Sequence, residues 1–339
     1  MNREKTRRLR AAKLAAVFCA ALMLGWALPG PPARADFPDG HVDKVLVLYH
    51  EAGFAAPANR TIFTSMLKYF QEHEARHVVM YSETLDLTLF PGRDGRRALI
   101  DFYRLKYARE HIDVVVPVQD PALDFLLENR ASLFPNVPIV YLASAEVPLR
   151  PGKENITGVA FAIDLRGTID IARNAQPGLK RVAVVAGAGE TDLRLADLAR
   201  KTLQADFKGL ETIDLAGLPM DELLGRVSAL PKSTAILFLP FYRDGAGRRF
   251  VPVEALKLVS SGANAPVYST SDSHLGQGCV GGRMINYEFL GARAAWMALR
   301  IMNGEKPGDI RPEVIGKAAP LFDWRQLKRW HIPEKNLPP

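Results

Sequence analysis

The sequence predicts an α/β protein of two doubly wound lobes, each built on a parallel sheet, joined by a hinge. Short apolar runs alternate with amphipathic segments along most of the 339 residues. The runs are apolar at nearly every position, which is typical of parallel strands that helices cover on both faces. The same rhythm occurs twice, in blocks of about 120 residues, and domains usually contain about 100–200 residues. The fold class follows from the alternation, the apolar strands and the duplication.

The first block, residues 42–157, is the predicted N-terminal lobe. Its strands are expected at 44–49, 77–81, 112–118 and 138–142, and its helices at 59–72, 94–107 and from 120 onward. The first helix has apolar residues at helical spacing from Ile62 to Phe70. The third opens with Asp120 and Pro121, because aspartate can cap the free N–H groups of a helix and proline suits its first position.

The second block, residues 158–282, is the predicted C-terminal lobe. Its strands are expected at 158–161, 181–186, 211–214, 235–239, 266–269 and from 279, and its helices at 164–174, 192–205, 221–230 and 253–261. The stretch 148–157 contains Pro, Gly and Asn and is the predicted crossover between the lobes. A long helix follows at 287–303, and residues 311–339 form a C-terminal tail.

The first 35 residues predict an export signal. A basic segment precedes the apolar run from Leu14 to Leu28, and Ala33 and Ala35 supply the small residues that a signal peptidase recognises. We expect cleavage after Ala35 and a periplasmic mature protein. The alternative is a retained membrane anchor, but the run is shorter than the about 20 residues that span a bilayer.

Charge and cysteine content exclude several classes of protein. Of the net charge of +7, the first 35 residues account for +6, since they hold seven Lys and Arg against Glu4 alone. The nearly neutral remainder gives no electrostatic reason to expect a nucleic-acid partner. Cleavage would leave Cys279 as the single cysteine, so no internal disulfide is expected. The histidines show no HExxH spacing, and we expect neither a metal nor a cofactor.

Candidate binding residues follow the predicted strands. In open parallel sheets, ligands bind outside the carboxyl ends of the strands. Polar or aromatic side chains follow several strands in both blocks, so they are expected to converge on one edge of each sheet. These candidates are Tyr49, His50, Asp120 and Ser144 in the first lobe, and Tyr242, Arg243 and Asp272 in the second.

Several candidates have alternative interpretations. Asp120 can serve only to cap its helix, and Arg243 can form a surface ion pair instead of binding a carboxylate with two hydrogen bonds. Ser271, Asp272 and His274 bring hydroxyl, carboxylate and imidazole groups together in sequence, which leaves an exported hydrolase open, although no Gly-x-Ser-x-Gly elbow occurs. The glycines that open the loop 187–192 resemble a dinucleotide-binding loop but lack its third glycine.

The order of these segments resembles the ABC-type substrate-binding proteins with the class-I periplasmic binding protein fold. It is most similar to an uncharacterised branch that also forms the sensor region of bacterial hybrid histidine kinases. The segments that carry the resemblance are 45–50, 113–116, 120–127, 133–141, 155–159, 241–244, 266–269, 276–282, 299–304 and 323–330.

The resemblance implies a hinged receptor that binds a small organic ligand in a cleft between its lobes and catalyses nothing. It implies that the final helix, within about 283–310, returns to complete the first lobe. By position, it places the seven candidates named above at the cleft. The partner is then the membrane permease of an ABC transporter or, alternatively, a membrane sensor kinase. The sequence departs from the kinase-linked relatives by ending at Pro339, and we expect neither their membrane helix nor their catalytic domain.

Overall fold

The computed structural model describes residues 42–73, 77–87, 89–90, 92–145, 155–316 and 318–338. The predicted signal peptide and its cleavage site lie outside these residues, as does most of the predicted crossover at 148–157. Among the helices that are described, none combines the length and the apolar character needed to cross a membrane.

The described chain alternates strands and helices throughout. The strands are β1 (Asp43–Tyr49), β2 (Val78–Thr84), β3 (Val114–Val118), β4 (Ile139–Ser144), β5 (Ile156–Phe161), β6 (Arg181–Val185), β7 (Glu211–Asp214), β8 (Thr234–Phe238), β9 (Val267–Ser269), β10 (Gly281–Met284), β11 (Glu313–Ile315) and β12 (Ala319–Phe322). The helices are α1 (Pro57–Glu72), α2 (Gly92–Lys106), α3 (Asp120–Leu133), α4 (Leu165–Ala175), α5 (Glu190–Asp206), α6 (Met220–Ser228), α7 (Pro252–Gly262), α8 (Tyr287–Met302) and α9 (Trp324–Arg329).

The strands form two six-stranded sheets, one in each lobe. The first sheet has the order β11-β5-β4-β3-β1-β2, and all of its strands run parallel. The second has the order β12-β10-β9-β8-β6-β7 and is parallel except for β12, which runs antiparallel to β10. The predicted fold class, two doubly wound parallel-sheet lobes, is confirmed.

Each sheet is buried on both faces because successive side chains of a strand point to opposite sides. In β1, Val45 and Val47 pack into one core beneath α1 and α8, whereas Leu46 and Leu48 pack into a second core beneath α2 and α3. The second lobe repeats this arrangement, with α6 and α7 covering one face of its sheet and α4 and α5 covering the other. This double burial explains why the strands are apolar at nearly every position.

One predicted boundary is wrong. The second lobe was expected to begin at residue 158, but β5 pairs along its length with β4 and belongs to the first sheet. An apolar strand fits either sheet equally well, so local sequence cannot assign it. The Pro- and Gly-containing stretch before it connects two strands of one sheet. The chain passes between the lobes after β5, between β10 and α8, and between β11 and β12.

The C-terminal tail, residues 311–339, is integrated into both lobes over its described part. Strand β11 extends the first sheet, β12 extends the second, and α9 packs on the second lobe through Leu327. Helix α8 lies against α1 in the first lobe, and its Gly291 allows close contact, since a Cβ at this position would lie 2.5 Å from the carbonyl oxygen of Ile62.

Candidate ligand-binding site

A cavity of about 180 Å³ lies between the two lobes. Residues from the first lobe line one side of it, and residues from the second lobe line the other. The polar or aromatic lining residues are Gln119, Asp120, Ser144, Phe161 and Tyr287 from the first lobe, and Thr191, Arg194, Phe238, Tyr242, Ser269, Thr270, Ser271, Ser273 and His274 from the second. The remaining lining residues are Ala, Pro, Val, Leu and Ile.

Sheet topology places the cavity here. The strand order reverses at β1 in the first sheet and at β6 in the second, and ligands of open α/β sheets bind at the carboxyl ends of strands next to such reversals. Among the described residues, the N-termini of five helices, α1, α3, α5, α7 and α8, also contribute residues to the lining. The free N–H groups and partial positive charge of a helix N-terminus favour an anionic group nearby.

A pair of opposite charges joins the lobes at the cavity. Arg194, on the second turn of α5, donates from Nη2 to Oδ2 of Asp120 over 2.8 Å. Asp120 also accepts hydrogen bonds from the backbone N–H and the hydroxyl of Ser144, each at 2.7 Å. These bonds fix the carboxylate, which is buried, while the arginine side chain is 47% exposed. Asp120 and Arg194 are the two charged side chains in the lining.

Tyr242 forms part of the second-lobe wall and contacts the first lobe. Its hydroxyl accepts a hydrogen bond from the side-chain amide of Gln119 at 3.4 Å, and its ring meets that of His50 edge-to-face at 5.2 Å. Gln119 has φ 73° and ψ 158°, a backbone conformation that non-glycine residues rarely adopt. Such strain occurs mainly at functional sites, where the surrounding structure enforces it.

Asp192 does not line the cavity but is hydrogen-bonded to the backbone of Tyr242, which does. Its Oδ2 accepts from the backbone N–H of Tyr242 at 3.2 Å, and its side chain is buried. Burial away from water raises the pKa of Asp192 to about 7, although hydrogen bonds from the backbone of Tyr242 and Gly189 oppose the shift. This carboxyl therefore titrates near neutral pH.

The loop after β9 supplies a cluster of polar side chains to the cavity lining. The hydroxyl of Ser269 and Nδ1 of His274 are hydrogen-bonded at 2.7 Å, and the hydroxyls of Ser271 and Ser273 form a second pair at 2.7 Å. Burial lowers the pKa of His274 to about 4, so its ring is neutral at physiological pH. The thiol of Cys279 donates to the carbonyl oxygen of His274 and helps to hold the loop.

Three of the seven predicted site residues, Asp120, Ser144 and Tyr242, line the cavity. The capping interpretation of Asp120 is wrong, because its carboxylate accepts from Ser144 and Arg194. Within the described residues no side chain caps α3, whose N-cap residue is Gln119; Asp120 instead lies at the cavity surface. The strand-end rule brought these residues together from β3, β4 and β8. Their contact with a ligand stays a prediction.

The other four are not among the cavity-lining residues, which corrects their predicted direct role. Tyr49 points into the core, where its hydroxyl donates to the carbonyl oxygen of Asn59. His50 is buried and packs on the ring of Tyr242. Arg243 forms a backbone bridge with Arg249. The carboxylate of Asp272 accepts the backbone N–H of Tyr287 at 3.1 Å and thereby caps α8.

The hydrolase alternative is not supported by this geometry. In the described chain, Ser271 pairs with Ser273, Asp272 binds the N-terminus of α8, and His274 pairs with Ser269. A catalytic triad needs its histidine between the carboxylate and the nucleophile, and here the three sequence neighbours have separate partners.

Sequence reasoning missed Arg194. This residue is not at a strand end but one turn into the helix that follows β6. The rule that ligands bind at the carboxyl ends of parallel strands would have included Arg194 if it had been extended to the first two turns of the helix that follows each strand. Gln119 follows a predicted strand but was not among the candidates, and His274 was considered only as part of a hydrolase site, although both line the cavity.

Comparisons with known proteins agree with this architecture. A family model described as ABC transporter substrate binding protein matches residues 99–332. A tyrosine-binding protein of Clostridioides difficile (strain R20291) is 23% identical over 267 residues, which cover 70% of this chain and 71% of the relative.

Two solved structures share the fold. A conserved domain protein of Vibrio cholerae is 19% identical with a TM-score of 0.66, and an ABC domain from Streptococcus pneumonia in complex with L-Trp is 16% identical with a TM-score of 0.65. Each alignment covers 87% of this chain and 97% of the other. Because the family model spans well over half of the sequence, the chain belongs to the ABC transporter substrate binding protein family.

Proposed function

We propose that this substrate-binding protein captures an L-amino acid with an aromatic side chain and passes it to the permease of an ABC transporter. The observation that carries the proposal is the ion pair between Asp120 and Arg194, which spans the cleft at 2.8 Å beside a largely apolar cavity. We further propose that the protein acts in the periplasm after cleavage behind Ala35, and that the cleft binds its ligand without catalysis.

An amino acid matches this charge pattern because its backbone carries one ammonium and one carboxylate group. Asp120 uses three of the about four acceptor positions of a carboxylate on Ser144 and Arg194, which leaves one for an ammonium group. Arg194 presents a planar guanidinium that can bind a carboxylate through two hydrogen bonds. The helix N-termini around the cavity add favourable potential for that carboxylate.

The interior of the cavity suits an aromatic side chain. Phe161, Phe238, Tyr242 and Tyr287 line it together with aliphatic residues, and aromatic rings pack well against such surfaces. A sugar needs many unpaired hydrogen-bonding groups around it, but most hydroxyls here already pair within the protein. The printed names of two relatives, one that binds tyrosine and one in complex with L-Trp, support the same ligand class.

Isothermal titration of the purified protein with the L-amino acids tests the proposal. We expect an aromatic amino acid to bind, and Arg194→Met to weaken that binding by at least about tenfold, since the substitution removes the charge but keeps an apolar stem. Arg200→Met is the matched control, because Arg200 lies on the same helix and pairs with Asp214 away from the cavity. Absence of binding by every amino acid, or equal loss in both variants, would contradict the proposal.

A further inference from the structure

His274 is a buried imidazole in the cavity lining, with one ring nitrogen already engaged. Its Nδ1 lies 2.7 Å from the hydroxyl oxygen of Ser269, and its ring packs edge-to-face on Phe238 at 5.5 Å. Within the described residues, no hydrogen bond to Nε2 is present. Because a neutral imidazole carries one donor and one acceptor nitrogen, the direction of the bond to Ser269 decides what Nε2 offers.

The hydroxyl of Ser269 fixes that direction. Ser269 is buried, and within the described residues His274 is the hydrogen-bond partner of its side chain. If Nδ1 donated the proton, the hydroxyl proton of Ser269 would be left buried without an acceptor, which is costly. The arrangement that satisfies both groups has the Ser269 hydroxyl donating to Nδ1. The single ring proton of His274 then sits on Nε2.

We propose that His274, oriented by Ser269, is the specificity-determining residue of the cavity and donates a hydrogen bond from Nε2 to an oxygen atom at the far end of the ligand's aromatic side chain. This inference rests on the proposed function, since it concerns the same cavity and the same ligand class. The ring is neutral at physiological pH because burial lowers the pKa of His274 to about 4, so its Nδ1 is available to accept from Ser269.

The consequence is a preference for a phenol. The oxygen of tyrosine accepts a hydrogen bond, whereas the ring of phenylalanine has no acceptor and the indole nitrogen of tryptophan only donates. A ligand without the acceptor leaves the buried N–H of His274 unpaired, and sites built to bind a hydroxyl group strongly reject analogues that lack it. We expect L-tyrosine to bind at least about tenfold more tightly than L-phenylalanine.

Two measurements test this inference. Nitrogen-15 NMR of the protein without ligand reports the tautomer of His274, and we expect the proton on Nε2. Isothermal titration with L-tyrosine and L-phenylalanine then gives the ratio of their dissociation constants. A proton on Nδ1, or equal affinity for the two amino acids, overturns the inference while leaving the proposed function intact. Failure of every amino acid to bind rejects the proposed function, and this inference with it.

Variants separate a specific role of His274 from a structural one. His274→Phe keeps an aromatic ring but removes the donor, so the preference for tyrosine should fall to within about threefold while phenylalanine still binds. Ser269→Ala removes the partner that fixes the tautomer, so NMR should show both tautomers and the preference should decrease. Ser65→Ala is the control, since it also removes a buried hydroxyl but lies on α1 away from the cavity. An unchanged preference in His274→Phe contradicts the proposal.

Discussion

Single buried groups set the geometry of the cleft. Asp192 does not line the cavity, yet it accepts the backbone N–H of Tyr242, which does. Its Oδ1 is buried and, within the described residues, has no hydrogen-bond partner. The unpaired oxygen and the lack of water explain why burial raises the pKa of this carboxyl to about 7.

This raised pKa predicts a pH-dependent stability. An unfolded aspartate loses its proton near pH 3.9, whereas native Asp192 keeps it up to about pH 7. The native state therefore binds more protons than the unfolded state between these pH values. The contribution of Asp192 to the free energy of unfolding is fully present below about pH 4 and is lost as the pH rises through 7.

Asp192→Asn removes this dependence because an amide does not titrate. We expect the free energy of unfolding of the original protein, relative to that of the variant, to fall by up to about 4 kcal/mol between pH 4 and pH 8. Urea unfolding of both proteins across this range measures the difference. Burial also lowers the pKa of His50 and His274 to about 4. Both histidines are present in both proteins, so their contributions to the pH dependence cancel in the difference. Parallel pH curves would show that Asp192 titrates normally.

At this scale, sequence reasoning recovered part of the site. The strand-end rule identified Asp120, Ser144 and Tyr242 because backbone topology alone determines where those residues lie. It failed for Tyr49 because the alternating side chains of β1 turn that ring into the core. It failed for Arg194 because a helix, not a strand, presents that side chain.

At the scale of elements, the close contact of α1 with α8 tests how the helices of the first lobe pack. Gly291 lies in α8, and a Cβ there would lie 2.5 Å from the carbonyl oxygen of Ile62, which is backbone and cannot rotate away. Both helices cover the same face of the first sheet. Separating them would expose part of that core.

Gly291→Ala should therefore destabilise the protein, by about 1–3 kcal/mol, because overpacking outweighs the better helix propensity of alanine. Thermal or urea unfolding measures the change. Gly225→Ala is the matched control: Gly225 lies in α6, and a Cβ there meets nothing within 4 Å. That variant should gain up to about 1 kcal/mol from helix propensity. A stabilised Gly291→Ala variant would mean that the two helices lie further apart.

Most helices and strands could be predicted from the sequence, because their apolar periodicity is local information. The assignment of β5 to a sheet could not, since strand pairing depends on partners distant in sequence. The same limit applies to β11 and β12, which are short, partly exposed strands at sheet edges. Their residues were expected only as a tail, because three or four residues give too little periodicity to detect.

At the scale of the whole molecule, ion pairs between described residues link the lobes at two places. One is the pair of Arg194 with Asp120. At the other, Arg249 of the second lobe donates to the carboxylates of Glu51 and Asp86 of the first, the latter at 2.7 Å. Glu51 is buried, so loss of the arginine would leave a poorly solvated negative charge between the lobes. We therefore expect this second bridge to favour the arrangement in which the two lobes are in contact.

Arg249→Ala should shift the population towards open lobes and weaken ligand binding by about three- to tenfold, mainly through faster release. Small-angle scattering of the protein without ligand should show a larger radius of gyration, and stopped-flow kinetics should show faster dissociation. Arg248→Ala is the control, because Arg248 pairs with Asp244 and Asp221 within the second lobe. Equal release rates in the two variants would contradict a closing role for Arg249.

In the proposed complex, the two lobes enclose an amino acid whose charged backbone lies between Asp120 and Arg194. The most direct measurement is a crystal structure of the protein with L-tyrosine bound. We expect the ligand's ammonium group at Asp120, its carboxylate at Arg194 and its ring in the apolar interior. A ligand bound with its charged groups away from both residues, or bound outside the cleft, would contradict it.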